Sequence, residues 1–321
     1  MQTNEQETAM SHTVTQAPTA PEGYFDDLQA RALSPGWAKK TPQMWPAPRP
    51  RFVPAVWRYA DARAALDAAC AFVSAEQAER RNLIMVDPIA DNIYPTCRNL
   101  VAAYQLVLPG ETARSHRHSP NALRLILDAG ERTFTIVNGV QIDVAPGDVV
   151  LTPSWHWHGH SNFGDEPAFW IDFLDVPLVQ NLECMFFEDH PQRNEPVTSH
   201  EPDSPMRHKR ADLERGAREH GAFELAAECL KTIGVQSIGL ARGSRKEARP
   251  RIDNNLYTVM NGRVRFTVEP LGAVELTRGD VIAIPCWHAF AIESLSEQAQ
   301  LIRVSDEPAM RALGFRDVTL P

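Results

Sequence analysis

His116 and His118 are separated by a single residue, and a third histidine, His158, follows on a later segment. Side chains on a β-strand alternate between its faces, so His116 and His118 point the same way. A Pro109-Gly110 turn precedes the pair. A Gly147-Asp148 turn and a strand running to Pro153 and Trp155 precede His158. Three neutral imidazoles from two strands can hold one divalent metal and leave positions open for substrate and oxygen. A lone histidine is most often a packed residue with a satisfied hydrogen bond. Three at these spacings read as a ligand set.

The run Trp155-His156-Trp157-His158-Gly159-His160 puts three histidines on one face of a regular strand. Spacing selects His158 as the ligand. His160 then lies beside the metal, free to act as an acid or base or to hydrogen-bond a substrate; the competing reading is a supporting residue. His156 is left without a role. Arg124, on the strand after the histidine pair, shares their parity. An arginine facing a barrel interior needs an anion. A substrate carboxylate fits its planar fork, and a buried aspartate would serve too. Gln105 and Ala103 fall on the inward-facing set of an earlier strand. Arg80 and Arg81 precede a strand and could bring a second cation, or simply be solvated.

The elements that would hold these residues are short and β-rich. Leu83–Val86, Leu106–Leu108, Leu123–Leu127, Phe134–Val137 and Val149–Thr152 alternate with turns at Pro109-Gly110, Asn138-Gly139 and Pro146-Gly147-Asp148. Many short strands between such turns predict a barrel or sandwich. Ahead of them, residues 1–22 are rich in Thr, Gln, Ala and Pro, the composition of a disordered tail. Residues 23–82 read as an N-terminal arm and helix, with five prolines around Trp45 and good helix formers over Asp61–Cys70. A metal-binding barrel is expected over 83–189, a charged linker over 190–222 and a second barrel over 223–321.

That second barrel is a degenerate copy. Gly243-x5-Arg249-Pro-Arg251-x4-Leu256 repeats the frame of Gly110-x5-His116-Arg-His118-x4-Leu123. Gly279-Asp-Val-Ile-Ala-Ile-Pro285-Cys-Trp287-His288-Ala-Phe290 repeats Gly147-Asp-Val-Val-Leu-Thr-Pro153-Ser-Trp155-His156-Trp-His158. Two matches at nearly one offset indicate duplication. Arg249, Arg251 and Phe290 stand at the ligand positions, so one metal per chain is expected, in the first copy.

Bulk composition narrows the partners. The chain has 321 residues, 43% of them hydrophobic, and a net charge of −9. That charge argues against a nucleic-acid or anionic-membrane surface. No apolar run approaches the ~20 residues of a membrane helix, and the acidic start of the chain shows no signal peptide. Five scattered cysteines (Cys70, Cys97, Cys184, Cys229, Cys286) fit a reduced cytoplasmic protein.

The two spacings resemble the paired motifs of the cupin superfamily. Where that pattern often carries a glutamate ligand, this chain has Leu123. Three neutral ligands leave the metal its full charge, which favours an anionic chelating substrate. The set suits Fe(II), while Zn, Ni or Cu would also bind imidazoles. At closer range, Pro109–Arg124, Thr152–Asn162 and Trp170–Leu178 resemble the gentisate and salicylate 1,2-dioxygenase family, and the resemblance extends over most of the chain, including the Trp45 arm and Arg80-Arg81. The resemblance implies an all-β-dominated bicupin with an N-terminal helical and extended arm. It implies an Fe(II) enzyme, a homotetramer, that opens an aromatic acid with O2 between its carboxyl- and hydroxyl-bearing carbons. By family position His116, His118 and His158 are ligands, and Arg124, His160, Gln105 and one of Arg80 and Arg81 line the substrate pocket. Asp175 matches the Leu-Asp-x-Pro segment and by that resemblance is expected with the substrate-binding residues, supporting the pocket from behind. Val101 stands where the family often has Trp, and Ala103 where it varies between Gly and Ala, so the ring substituent stays open: salicylate, gentisate and 5-substituted salicylates such as the nitro compound all fit. Two other classes remain: another three-histidine cupin dioxygenase, of the diketone or thiol type, and a non-catalytic bicupin sensor or binding protein.

Overall fold

The computed structural model describes residues 20–38, 44–78, 80–225 and 227–315. The tail expected over 1–22 lies outside the described residues except for its last three. The described residues up to Arg49 form a unit of their own. Within it, helix Tyr24–Ala30 buries no residue, Phe25, Leu33, Trp37, Met44 and Trp45 are exposed, and Arg49 lies over the Trp45 ring.

From Pro50 onward the chain forms a second unit, built as two β-barrels, each from two sheets. In the first barrel one sheet runs, in spatial order, Arg207–His208, Val149–Thr152, Ala122–Asp128, Ala168–Leu174, Val101–Val107, Arg81–Ile84. The second barrel repeats that order with Ala55–Trp57, Val281–Ile284, Asn255–Asn261, Gln298–Ser305, Gly234–Ala241, Ala222–Glu224. The facing sheet of the first barrel is Phe187–Asp189, Thr112–His118, His158–Asn162, Thr133–Val137, Val140–Asp143, Ser199–His200. Its counterpart, Arg245–Ala248, Phe290–Ser294, Val264–Val268, Gly272–Leu276, lacks the two outer strands.

The strand orders correct the boundaries drawn from the sequence. Ala55–Trp57, expected in the arm, is the edge of the second barrel's sheet, with Ala55 opposite Ala283. Arg207–His208, expected in a linker, is the matching edge of the first, with Arg207 opposite Val150. Three- and two-residue strands carry too little periodicity to be seen in a sequence. Each is followed by a helix that binds the barrels together. The Asp148 carboxylate accepts from Ala145 N and from Arg210 N, at the start of helix Arg210–His220, which packs on strand Gly234–Ala241 of the other barrel. The Asp280 carboxylate likewise accepts from Thr277 N and Tyr59 N, and helix Tyr59–Ala69 packs on Arg81–Ile84 and Val101–Val107.

Most sheet strands are buried on both faces, which is why they read as continuous apolar runs. The outward residues of the six-stranded sheets, among them Leu123, Leu125, Ile171 and Phe173 with Leu256, Val281, Ile302 and Val304, merge into one cluster between the barrels. The interior of the second barrel is filled by an apolar set that includes Tyr257, Phe266 and Phe290. In the first barrel only the floor is apolar: Val107, Ile126, Val144, Val150, Ala168 and Trp170.

Candidate metal centre

The ligand atoms of His116, His118 and His158 all lie within 4.8 Å of one another, and all three residues are buried. A backbone irregularity makes this possible. Strand Thr112–His118 pairs Ala113 with His160, slips, and then pairs His116 with His158. An inserted residue of this kind re-aims the side chains that follow it. In the second barrel the equivalent strand runs regularly and sets Ala248 opposite Phe290. There Arg249 is exposed, and the Tyr257, Phe266 and Phe290 rings pack together where a metal would otherwise sit. Gly159, between His158 and His160, lies against the slipped segment, and a Cβ there would collide with Ser115 Oγ.

The duplicated frame of the sequence has a direct counterpart. Trp155 and Trp287 both adopt positive φ, +64° and +68°. Their amides donate to His118 O and Arg251 O, at 2.8 and 2.7 Å, so His118 and Arg251 occupy the same place in the two copies. The bend at Trp155 also leaves His156 outside the strand, with its Nδ1 against Ser154 O.

Each candidate ligand is oriented through its Nδ1 by a backbone carbonyl: Arg114 O for His116, Pro120 O for His118 and His156 O for His158. A carbonyl only accepts, so Nδ1 carries the hydrogen and Nε2 the lone pair. Nε2 of His116 and of His158 is buried with no partner. Orphaned lone pairs that converge in this way fit a divalent metal, and the all-imidazole set suits a borderline ion such as iron. The rings are held neutral. Burial, then the Arg80 charge, pushes His116 down to about 2. Burial takes His118 down to about 4 and His158 well below the usual range.

Those directions give a pH prediction. Unfolded, each histidine protonates near 6.5; folded and metal-free, none does until the pH is far lower. The unfolded state therefore takes up more protons as the pH falls below about 6.5, so stability is full above that value and declines towards pH 4. Metal-free protein should lose thermal stability over this window, as read by unfolding curves at stepped pH.

Around the three rings lies a polar layer. Arg124, 1% exposed, donates Nε–H to Asp172 Oδ1 at 3.0 Å and Nη1–H to Thr152 Oγ1 at 2.9 Å. Gln105 donates its amide N–H to the other Asp172 oxygen. That fixes the amide orientation and leaves Gln105 Oε1 buried without a partner. His160 is 2% exposed, with Nδ1 3.0 Å from Thr135 Oγ1 and Nε2 unpartnered; the Trp170 ring meets it edge-on. Val101 and Ala103, both buried, share the Gln105 face of strand Val101–Val107, opposite Leu174 and Asp172.

Residues 103–175 match the cupin domain family. The chain is 34% identical to gentisate 1,2 dioxygenase 1 of Aquipseudomonas alcaligenes, over 91% of this chain and 94% of the relative. The chain belongs to the gentisate and salicylate 1,2-dioxygenase family. Another relative is the 5-aminosalicylate 1,2-dioxygenase of a Comamonas species, 28% identical over 92% and 91% of the two chains. The salicylate 1,2-dioxygenase of Pseudaminobacter salicylatoxidans superposes with a TM-score of 0.85 at 25% identity, covering 94% of this chain and 99% of that one.

Two residues expected in the pocket of this dioxygenase are occupied elsewhere. Arg81, the first residue of its strand, donates to both Glu111 oxygens at 2.8 and 2.9 Å and to Val73 O. Glu111 also accepts from Leu108 N, so this pair braces the turn that leads into the histidine strand. Arg80 is the arginine that faces the centre. Its charge lowers His116, His118 and His160 alike, and its Nη1 is buried without a partner. Asp175 accepts from Asn121 N, Asn121 Nδ2 and Thr232 Oγ1, and Asn121 Oδ1 accepts from Ser154 N. Asp306, Asn254 and Cys286 repeat this arrangement in the second barrel. Asp175 is thus a buried clamp on the loops of the fold, not a wall of the pocket.

Asp172, Thr152, Thr135 and Trp170 also belong to this layer and are not marked by motif spacing. Asp172 carried a signal: a lone carboxylate inside the apolar run Phe169–Leu174 needs a buried partner, and Arg124 lies opposite it in register. The two threonines and the tryptophan look like ordinary strand residues.

Proposed function

We propose that this enzyme is an Fe(II)-dependent dioxygenase that opens the ring of an ortho-hydroxybenzoate between its carboxyl- and hydroxyl-bearing carbons. The substrate class is gentisate, salicylate or a 5-substituted salicylate. The carrying observation is the meeting of three oriented imidazole lone pairs with the charges of two arginines, the buried Arg124 and the half-buried Arg80, whose Nη1 is buried. When bound, ferrous iron supplies the Lewis acidity that anchors carboxylate and phenolate oxygens and the redox chemistry that dioxygen requires. This chain's own residues do the rest. Arg80 Nη1 offers a charge-assisted donor to a carboxylate oxygen. Arg124, locked by Asp172 and Thr152, keeps a fixed positive charge on the same wall. Gln105 Oε1 offers an acceptor to a ring hydroxyl, and the burial of the whole layer keeps bulk water out. Val101 and Ala103 form the wall where tolerance for the 5-substituent is set. A reduced cytoplasmic setting and a homotetramer complete the proposal.

Oxygen uptake with salicylate, gentisate, 5-nitrosalicylate, catechol and benzoate tests it. Turnover is expected only where carboxylate and ortho hydroxyl are both present. Catechol turned over as fast as the hydroxybenzoates would remove the carboxylate anchor. Inactivity on every ortho-hydroxybenzoate with iron fully loaded would move the enzyme to the other three-histidine cupin oxygenases.

A further inference from the structure

Four histidines line the first barrel, and all four are buried with Nδ1 in a hydrogen bond. Three of those bonds go to backbone carbonyls. The fourth, from His160, goes to the hydroxyl of Thr135. The difference decides which nitrogen carries the hydrogen. A carbonyl can only accept, whereas a hydroxyl can also donate.

Thr135 stands directly opposite His160 in the strand register and is 2% exposed. Among the described residues its hydroxyl has one hydrogen-bond partner, His160 Nδ1, at 3.0 Å. If Nδ1–H donated to Thr135, the hydroxyl's own hydrogen would be left buried without an acceptor. If Thr135 donates to Nδ1, the hydrogen without an acceptor sits instead on His160 Nε2, the unpartnered ring nitrogen. Orphaned buried donors are costly; a bound substrate can supply an acceptor to Nε2–H, whereas the Thr135 hydroxyl, 2% exposed and opposite His160 in the sheet, has none to gain.

We propose that Thr135 is a positioning residue that holds His160 in the tautomer opposite to that of the three ligands, with the hydrogen on Nε2 and aimed at the substrate. This deepens the proposed function and rests on it. His160 Nε2, buried and unpartnered, then donates to a substrate oxygen on which negative charge develops as the ring opens. It does not remove a proton. With Arg80 and Arg124 it makes one wall of the pocket a set of donors, and Gln105 Oε1 faces it as an acceptor. The assignment also separates the roles of His158 and His160, two histidines on the same strand face. The carbonyl behind His158 leaves its Nε2 free to ligate, and the hydroxyl behind His160 fills its Nε2 with a hydrogen.

Neutron diffraction from crystals of the metal-loaded enzyme, exchanged into heavy water, tests the assignment without recourse to activity. Deuterium is expected on His160 Nε2 and on Thr135 Oγ1, pointing at Nδ1. Deuterium on Nδ1, alone or together with Nε2, would overturn the proposal even if the enzyme cleaves ortho-hydroxybenzoates as expected. Kinetics give the second arm. Thr135→Ser should keep the wild-type kcat. Thr135→Val, nearly isosteric but without the hydroxyl, should retain the metal and lose roughly 10-fold, mostly in kcat, because a donor to developing charge acts in the transition state. Valine and serine variants of equal kcat would reduce Thr135 to a packing residue.

Discussion

His158→Ala is expected to leave the protein folded but without bound metal, and to bring ring cleavage down to background. Removing one of three ligands leaves two imidazoles of the same parity on a single strand, which cannot hold a divalent ion in a defined geometry. His288→Ala in the second barrel should leave metal content and turnover as they were. His288 corresponds to His156, and its Nδ1 is already engaged with Pro285 O and Cys286 O. Metal analysis of both variants, alongside wild-type protein stripped of loosely held ions, should give one metal per chain for wild type and His288→Ala and none for His158→Ala. Two metals per wild-type chain would contradict the filling of the second barrel by Tyr257, Phe266 and Phe290.

Arg124→Ala should be the most damaging change in the pocket that spares the ligands, and it should act on the fold as well as on binding. The sequence left the partner of Arg124 open between a substrate carboxylate and a buried aspartate. The structure supplies the aspartate: Arg124 and Asp172 form an ion pair with both side chains about 2% exposed. Removing the arginine leaves Asp172 charged and buried, which costs on the order of 3–5 kcal/mol. Burial also holds the Arg124 guanidinium below its usual pKa, with Asp172 pulling it back up. Chemical denaturation should therefore show a large stability loss in Arg124→Ala. Much of it should return in Arg124→Ala/Asp172→Asn, where no lone charge remains. Substrate affinity should stay weak in both. A single variant as stable as wild type would mean that water reaches Asp172. Arg124→Lys should not rescue binding, because an ammonium lacks the planar fork that spans Asp172 and Thr152 at once.

How much of this was legible beforehand depends on how far each signal travels along the chain. The ligand triad was legible because spacing and strand parity are local, and the duplication was legible because two frames repeat at nearly one offset. The slip between Ala113 and His116 was not, since nothing in Arg114-Ser115 marks an extra residue. Parity still predicted the common direction of His116 and His118, because both lie beyond the slip. The doublet Arg80-Arg81 shows the limit from the other side. The two residues are chemically identical, and only the start of the strand decides that one braces Glu111 and the other faces the histidines. Asp175 was drawn towards the pocket by its motif, but its hydrogen-bond partners lie in loops that only the folded chain brings together.

The exchanged edge strands also set the order in which the molecule can be completed. As the chain leaves the ribosome, Ala55–Trp57 appears more than two hundred residues before its partner Val281–Ile284. The first barrel, for its part, lacks an edge until Arg207–His208 emerges. Pairings so distant in sequence are slow to form. During synthesis the metal-binding half is therefore exposed with an open sheet edge and a helix whose capping carboxylate, Asp280, does not yet exist. Neither half should persist when expressed alone, and the degenerate barrel, its interior filled by Tyr257, Phe266 and Phe290, acts as the closing piece without which the working barrel stays open.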